Sequence, residues 1–143
     1  MSFKTYSFED VTVSFSHPSV GTMSSTGAGI GTIGISKAAD DTSHDVAADG
    51  TVMISKVAGK NGTIAITVQQ ISDLNKWLLK WYNYVKQANA SEWARMNATI
   101  NSKNLSDSTI CTGVSPQKLA DRPYQAQGQH VTWNLMSAEI TES

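Results

Sequence analysis

From Val11 onward apolar and polar residues alternate, with Val11, Val13 and Phe15 set against Thr12, Ser14 and Ser16. A period of two is the pattern of a strand with one face buried. Tyr6 and Phe8 fall on the opposite parity, and the phase slips at Glu9-Asp10, where a bulge or break is expected. Residues 17–28 (HPSVGTMSSTGA) read as a turn-rich loop, 29–37 (GIGTIGISK) as a glycine-rich strand and 38–50 (AADDTSHDVAADG) as a long polar loop. Alternation returns over 51–55 and again over 63–69. The second run places Ile64, Ile66 and Val68 on one face, and Thr63, Ala65, Thr67 and Gln69 on the other. Between the two runs lies Gly59-Lys60-Asn61-Gly62. Asn-Gly flanked by alternating runs predicts a hairpin, because both residues tolerate positive φ.

The period then changes. Leu74, Leu78, Trp81 and Val85 recur at helical spacing, with Trp77 and Tyr84 widening the stripe and Lys76, Lys80 and Asn83 on other faces. Ser72 is the expected N-cap, and Asp73 sits in the first turn, where the helix dipole favours an anion. The helix fades at Ala88-Asn89-Ala90. Met96, Ala98 and Ile100 then alternate with Arg95, Asn97, Thr99 and Asn101. A short strand is expected near 108–114, and Pro116 and Pro123 bracket a connector. Val131, Trp133 and Leu135 begin a last strand that reaches toward Ile140. About seven strands and one amphipathic helix predict a mainly β domain spanning 1–143, a β-sandwich or partly open barrel with the helix on one face or end.

Composition narrows the function. A chain of 143 residues buries about 70% of its unfolded surface without disulfide staples. Cys111 is the single cysteine; with no signal-peptide pattern, this points to assembly in a reducing cytoplasm. No apolar run is long enough for a bilayer-spanning helix, so no membrane anchor is expected. Eleven basic residues face twelve acidic ones for a net charge of −1, and only 16% of residues are charged. Without a Lys/Arg cluster, specific duplex binding lacks its electrostatic footprint. Ser, Thr, Asn, Gln and Gly fill the gap, which suits strand faces that meet other subunits.

Candidate chemistry is thin. Gly29-Ile30-Gly31-Thr32-Ile33-Gly34 matches a dinucleotide fingerprint in letters, but the run continues as a strand where that motif needs a helix. Around Lys60 the phosphate-loop pattern fails, since Ile54 stands where its first glycine belongs and Asn61 where Ser or Thr belongs. Asp40, Asp41, His44, Asp45 and Asp49 form the one acidic cluster. Its spacing fits neither a calcium loop nor a zinc site, so it reads as a solvated or subunit-contacting loop. His17, His44 and His130 lie in different elements, no G-x-S-x-G occurs, and Cys111 sits in a strand. Neither catalysis, a cofactor nor a metal is expected. Helical spacing makes Trp77 and Trp81 core residues in preference to a stacking platform.

The stretch from His44 to Lys56 (HDVAADGTVMISK), Gly59 to Ile66 (GKNGTIAI) and the helix opening Gln70 to Asn75 (QISDLN) resemble the tail tube (inner tube) proteins of contractile-tailed bacteriophages. Thr5 to Val11 and Gly29-Ile30-Gly31 fit the same pattern. These are turn and cap residues, a fold signature without a catalytic one. The resemblance implies a β-sandwich-like subunit with one helix, forming hexameric rings that stack into a hollow tube inside a sheath. Sheets of neighbouring subunits join into one barrel around the lumen, and a long loop reaches the adjacent ring. Implied partners are further copies of the chain, the sheath protein, the tape measure protein, baseplate and terminator proteins, and phage DNA passing without sequence-specific binding. The implied location is the virion tail.

On that footing the loop carrying Asp40, Asp41, His44, Asp45 and Asp49 is the expected inter-ring contact. Ser55, Thr63, Thr67, Gln69, Asn97 and Thr99 are the expected lumen-facing residues, and Leu74, Leu78, Trp81 and Val85 the helix core face. A tube initiator, a tail terminator and a secretion-system tube share this fold. A small binding module using Tyr6, Tyr82, Tyr84 and Tyr124 is a reading of a different class.

Overall fold

The computed structural model describes residues 7, 10–26, 30–102 and 105–142. Tyr6, Phe8 and Glu9 lie outside them, and with them most of the expected phase slip. Nine strands and one helix follow in the order β1 Val11–His17, β2 Gly21–Thr26, β3 Ile30–Lys37, β4 Thr42–Val46, β5 Val52–Lys56, β6 Gly62–Gln69, α1 Asp73–Gln87, β7 Met96–Ser102, β8 Asp107–Pro116 and β9 His130–Glu142. Seven strands form one antiparallel sheet in the order β2-β1-β7-β8-β9-β6-β3, and β4 pairs with β5 in a separate ribbon.

The sheet curls into a half barrel, and connectivity requires it to. Six inter-strand steps of about 4.8 Å would put the edges of a flat sheet roughly 29 Å apart. Yet the edge strands β2 and β3 are joined through residues 27–29 alone, a span of at most about 14 Å. The curl leaves a groove of about 470 Å³ between β2 (Met23–Thr26) and the segment from Gln69 to Leu74. Of the two architectures expected, this is the partly open barrel.

Alternating burial along β1, β6 and β9 turns one face inward. Val13, Phe15, Ile64, Ile66, Val68, Met96, Ala98, Val131, Trp133 and Leu135 pack against Leu74, Leu78, Trp81 and Val85 of α1. Each such side chain contributes about 1.5–3 kcal/mol by leaving water. The Ser72 hydroxyl caps α1 by accepting from the Asn75 amide at 3.2 Å. Asn75 then ties helix to sheet: its Oδ1 accepts from the buried Trp133 indole at 2.9 Å, and its Nδ2 donates to the Gln70 carbonyl at 3.1 Å. At the far end His17 is buried, with Nε2 on the Glu92 carbonyl at 3.1 Å and Nδ1 accepting from the Ser19 amide at 3.1 Å. This staples the β1–β2 turn to the 3₁₀ turn Ala90–Glu92 that follows α1.

Three expectations fail. Of residues 17–28 the described ones, 17–26, are not a loop, because Pro18 to Val20 is a tight turn, with the Val20 amide on the His17 carbonyl at 3.3 Å, and β2 follows; residues 27 and 28 lie outside the described residues. Nor are residues 38–50 a loop, since Thr42–Val46 is a strand. Finally, Asn61-Gly62 closes no hairpin: β5 pairs with β4, while β6 pairs with β3 and β9. Gly62 is needed for a different reason. A Cβ there would meet the Ser36 carbonyl oxygen at 2.2 Å, so its bare Cα lets the β3 backbone approach. The true turn is Asp49-Gly50, with Gly50 at φ 89° and Asp49 accepting from the Thr51 amide at 3.0 Å.

Candidate functional site

On β1, β2, β7, β6 and the start of β9, the face of the sheet turned away from α1 is rich in hydroxyls and amides. Cross-strand register aligns Thr12, Ser14 and Ser16 of β1 with Thr26, Ser24 and Thr22 of β2 and with Asn101, Thr99 and Asn97 of β7. Thr67 and Ala65 align with Thr132 and Asn134 on β9, and with Thr32 and Gly34 on β3. Hydroxyl pairs form rungs: Thr12–Thr26 at 3.2 Å, Thr22–Ser16 at 3.2 Å, Ser24–Ser14 at 3.1 Å and Thr67–Thr132 at 3.1 Å. Between the two groups of rungs β8 and β9 add exposed Ile110 and Met136, with Glu139 opposite Thr112, and Lys118, Arg122 and His130 surround a depression floored by Thr132 and Asn134. Thr63, Thr67, Gln69, Asn97 and Thr99 therefore share one face of one sheet, as the alternation predicts. Ser55 does not join them, because β5 belongs to the separate ribbon.

That ribbon is the second feature. Every residue of β4 and β5 is exposed. Val46, Met53 and Ile54 stand 60–68% open to solvent, a concentration of apolar surface that soluble monomers rarely display. Asp45 and Asp49 lie among them, with His44 opposite Ile54 and Asp45 opposite Met53. The Thr51 amide, and after it the Thr51 hydroxyl, hold the Asp49 carboxyl below its ordinary value. At the ribbon's root Asp41 pairs with Lys37, and its carbonyl accepts from the Val57 amide at 2.8 Å; Asp40 is exposed beside it. A two-stranded ribbon alone is marginal in water.

The third feature is a pair of open edges. Among the described residues β2 and β3 each have one strand neighbour. Both are short and rich in Gly, Ser and Thr, and Lys37 at the end of β3 is their one charge. Edges that must stay unpaired usually carry charges or prolines.

Elsewhere the residues serve packing. Leu74, Leu78, Trp81 and Val85 are buried as expected. Trp77 stacks on Phe15 with ring centres 6.2 Å apart, and Tyr82 leans on Trp133 at 6.3 Å. Tyr84 meets His17 edge-on, whereas Tyr124 is 81% exposed in the connector between β8 and β9. These tyrosines form no common platform. Cys111 is buried, and desolvation pushes its thiol above the ordinary value. Among the described residues no three His, Cys, Asp or Glu side chains gather as metal ligands. No described helix is long and apolar enough to cross a membrane.

The family model for the bacteriophage PhiTE tail tube protein matches residues 3–143. The chain belongs to that tail tube family. Comparison with curated proteins gives no match. Among solved structures, a chain in the cryo-EM structure of the anti-feeding prophage cap (AFP tube terminating cap) aligns with TM-score 0.64 at 9% identity, covering 100% of this chain and 93% of that one. A chain from the sheath/tube terminator of an extracellular contractile injection system, PVC, in its extended state aligns with TM-score 0.65 at 10% identity, covering 100% and 99%. A third, from the anti-feeding prophage baseplate, gives 0.64 at 14% identity, covering 100% and 97%. These likenesses establish a shared fold. Membership in the tail tube family makes the chain a structural component of the phage tail. Sequence reasoning found the polar face but missed the ribbon, although its signal was present: Asp-Gly, like Asn-Gly, marks a hairpin turn.

Proposed function

We propose that this tail tube family member is the repeating subunit of the tube itself, forming hexameric rings that stack into a conduit for DNA inside a contractile sheath. The hydroxyl and amide rungs of the sheet carry the reading. A conduit must not hold its cargo, and a basic wall would retain phosphates through counterion release. Thr63, Thr67, Gln69, Asn97 and Thr99 face the lumen in this arrangement. The open edges of β2 and β3 support the ring, since joining copies edge to edge satisfies backbone groups that a lone subunit leaves to water. The β4–β5 ribbon, with His44, Asp45 and Asp49, is the contact to another ring, and Asp40 and Asp41 sit at its base. Sheath, tape measure and baseplate proteins are the further partners, met during assembly in the host cytoplasm.

Electron microscopy of purified protein tests this directly: rings or tubes of uniform bore are expected, and a strict monomer at high concentration refutes it. Thr63→Lys with Thr67→Lys tests the lumen face. Virions should assemble but eject DNA more slowly, and normal ejection means that the other face lines the channel. A terminator role is the second reading, favoured by likeness to chains from a tube terminating cap and a sheath/tube terminator. Copy number per virion by quantitative mass spectrometry separates the two, because a main tube subunit is abundant.

A further inference from the structure

One end of the face turned away from α1 differs from its rungs. The connector between β8 and β9, residues 117–129, lies at that end, where Gln69 pairs with His130. Leu119 packs against the core and Ala120 is buried. With these two turned in, Lys118, Asp121 and Arg122 are left exposed on either side. Lys118, Arg122 and His130 come together around a depression of about 480 Å³, with Thr132 and Asn134 of β9 as its floor. The other end of β6, where Gly62 pairs with Lys37, lies seven residue steps away, about 23 Å.

The lining has the chemistry of an anion site. Apart from Asp121 and Pro123, each side chain in it is a cation or can donate a hydrogen bond. Arg122 brings a planar fork of N–H groups, which matches two phosphate oxygens at once. Asp121 is the one acid in the lining and lies 3.9 Å from Lys118. Lys118 and Arg122 against Asp121 leave one cation in excess, and Arg122 carries it. The connector is also held in place. Gln70 donates its Nε2 to the Pro123 carbonyl at 2.8 Å and its backbone amide to the Gln129 carbonyl at 2.9 Å. The Gln117 amide donates to the Asn134 carbonyl at 3.0 Å. A Cβ on Gly31 would lie 3.4 Å from the His130 Cδ2, so β3 passes close beside that ring. A backbone fixed in this way need not be ordered when an anion binds.

We propose that the depression seats one phosphate group of a polynucleotide backbone, with Arg122 as the principal contact, Lys118 and His130 beside it, and Thr132 and Asn134 as neutral donors. That duplex DNA reaches the seat rests on the tube reading, which turns this face to the channel. The wall as a whole still lets its cargo pass. The hydroxyl rungs on β1, β2 and β6 are uncharged, and the excess cation of each copy stands at one end of the face. A continuous basic wall engages every phosphate, whereas a single seat adds about −0.9 per engaged copy to the slope of log affinity against log salt. Such a contact positions a backbone without reading its sequence.

The test is DNA binding by the full chain, read as fluorescence anisotropy of a labelled duplex oligonucleotide at low ionic strength. It spans the protein concentrations over which single copies pass to rings, with assembly followed by negative-stain microscopy. Lys118→Gln with Arg122→Gln should weaken binding about tenfold or more and flatten its salt dependence. The melting temperature should not move, because both side chains are exposed. Arg122→Lys should lose part of the affinity, since it keeps the charge without the fork. Lys76→Gln with Lys80→Gln removes the same charge from exposed positions on α1, across the sheet, and should bind as wild type does. Inorganic phosphate, against chloride of equal ionic strength, should displace little of the duplex. If it displaces the duplex fully, the seat takes a free ion and the polynucleotide assignment is wrong. If the α1 variant loses as much affinity as the connector variant, the attraction is general charge and there is no seat. If wild-type tubes form but bind no duplex, or bind it equally after the connector substitutions, the tube reading stands and this inference fails. If the connector substitutions abolish binding while wild-type protein forms no rings or tubes, the seat stands and the tube reading falls.

Discussion

Replacing Asn75 should cost far more than its size implies. It is 8% exposed and joins three elements: the Ser72 cap, the Gln70 carbonyl at the end of β6, and the Trp133 indole in β9. Asn75→Ala removes two side-chain hydrogen bonds, each worth about 1 kcal/mol net, and strands a buried indole N–H, for which desolvation adds about 1 kcal/mol or more. The sum is about 3 kcal/mol. At about 2.1 cal/mol/K per residue, 143 residues give an unfolding entropy of roughly 0.3 kcal/mol/K, so Tm should fall by about 10 °C. The measurement is thermal unfolding by circular dichroism, below the concentration at which copies associate. A double-mutant cycle with Trp133→Phe isolates the indole bond, because phenylalanine has no donor to strand. Asn75→Ala should then be milder in the Trp133→Phe background by about 1 kcal/mol or more. Additivity within about 0.3 kcal/mol, or a Tm loss below about 3 °C, refutes the claim that this bond holds α1 on the sheet.

Other substitutions probe separate parts of the fold. Gly113 has φ 64° at a bulge in β8, and a Cβ there would lie 2.7 Å from the Ala138 Cβ. Gly113→Ala should destabilise by about 1–3 kcal/mol in urea denaturation. Adding Ala138→Gly should recover only the steric part, and full recovery would show that φ is not strained. Burial raises the Cys111 thiol above its ordinary value near 9.0. The folded state therefore keeps a proton that the unfolded state loses in alkali, so the full stability is present below the ordinary value, is lost as pH rises from there toward the folded value, and levels off above it. The sign follows from proton counts: between the two values the folded chain binds more protons than the unfolded chain, so stability falls with rising pH across that window. Cys111→Ala should flatten the alkaline limb of the stability curve relative to wild type, and an identical limb would mean that the thiol is not desolvated.

What the sequence determined by itself is local. Period-two alternation set the inward residues of β1, β6, β7 and β9. The change to helical spacing marked α1, and Ser72 with Asp73 marked its start. Each of these is fixed by a residue and its near neighbours, so it can be read without the fold. Partner choice between strands is different. The Asn61-Gly62 signal pointed to a β5–β6 hairpin, but β6 has a larger apolar face to bury between β3 and β9. The required glycine answers to the Ser36 carbonyl, a contact between different strands. Residues 38–50 read as loop because their strand has no buried face, and without one the alternation of burial cannot appear in the pattern. Ser55 was grouped with Thr63 and Thr67 by side-chain type, and only the separation of ribbon from sheet divides them. The basic depression, too, is invisible along the chain. Lys118, Arg122 and His130 look scattered in sequence and come together because β9 returns beside β8 beneath their connector.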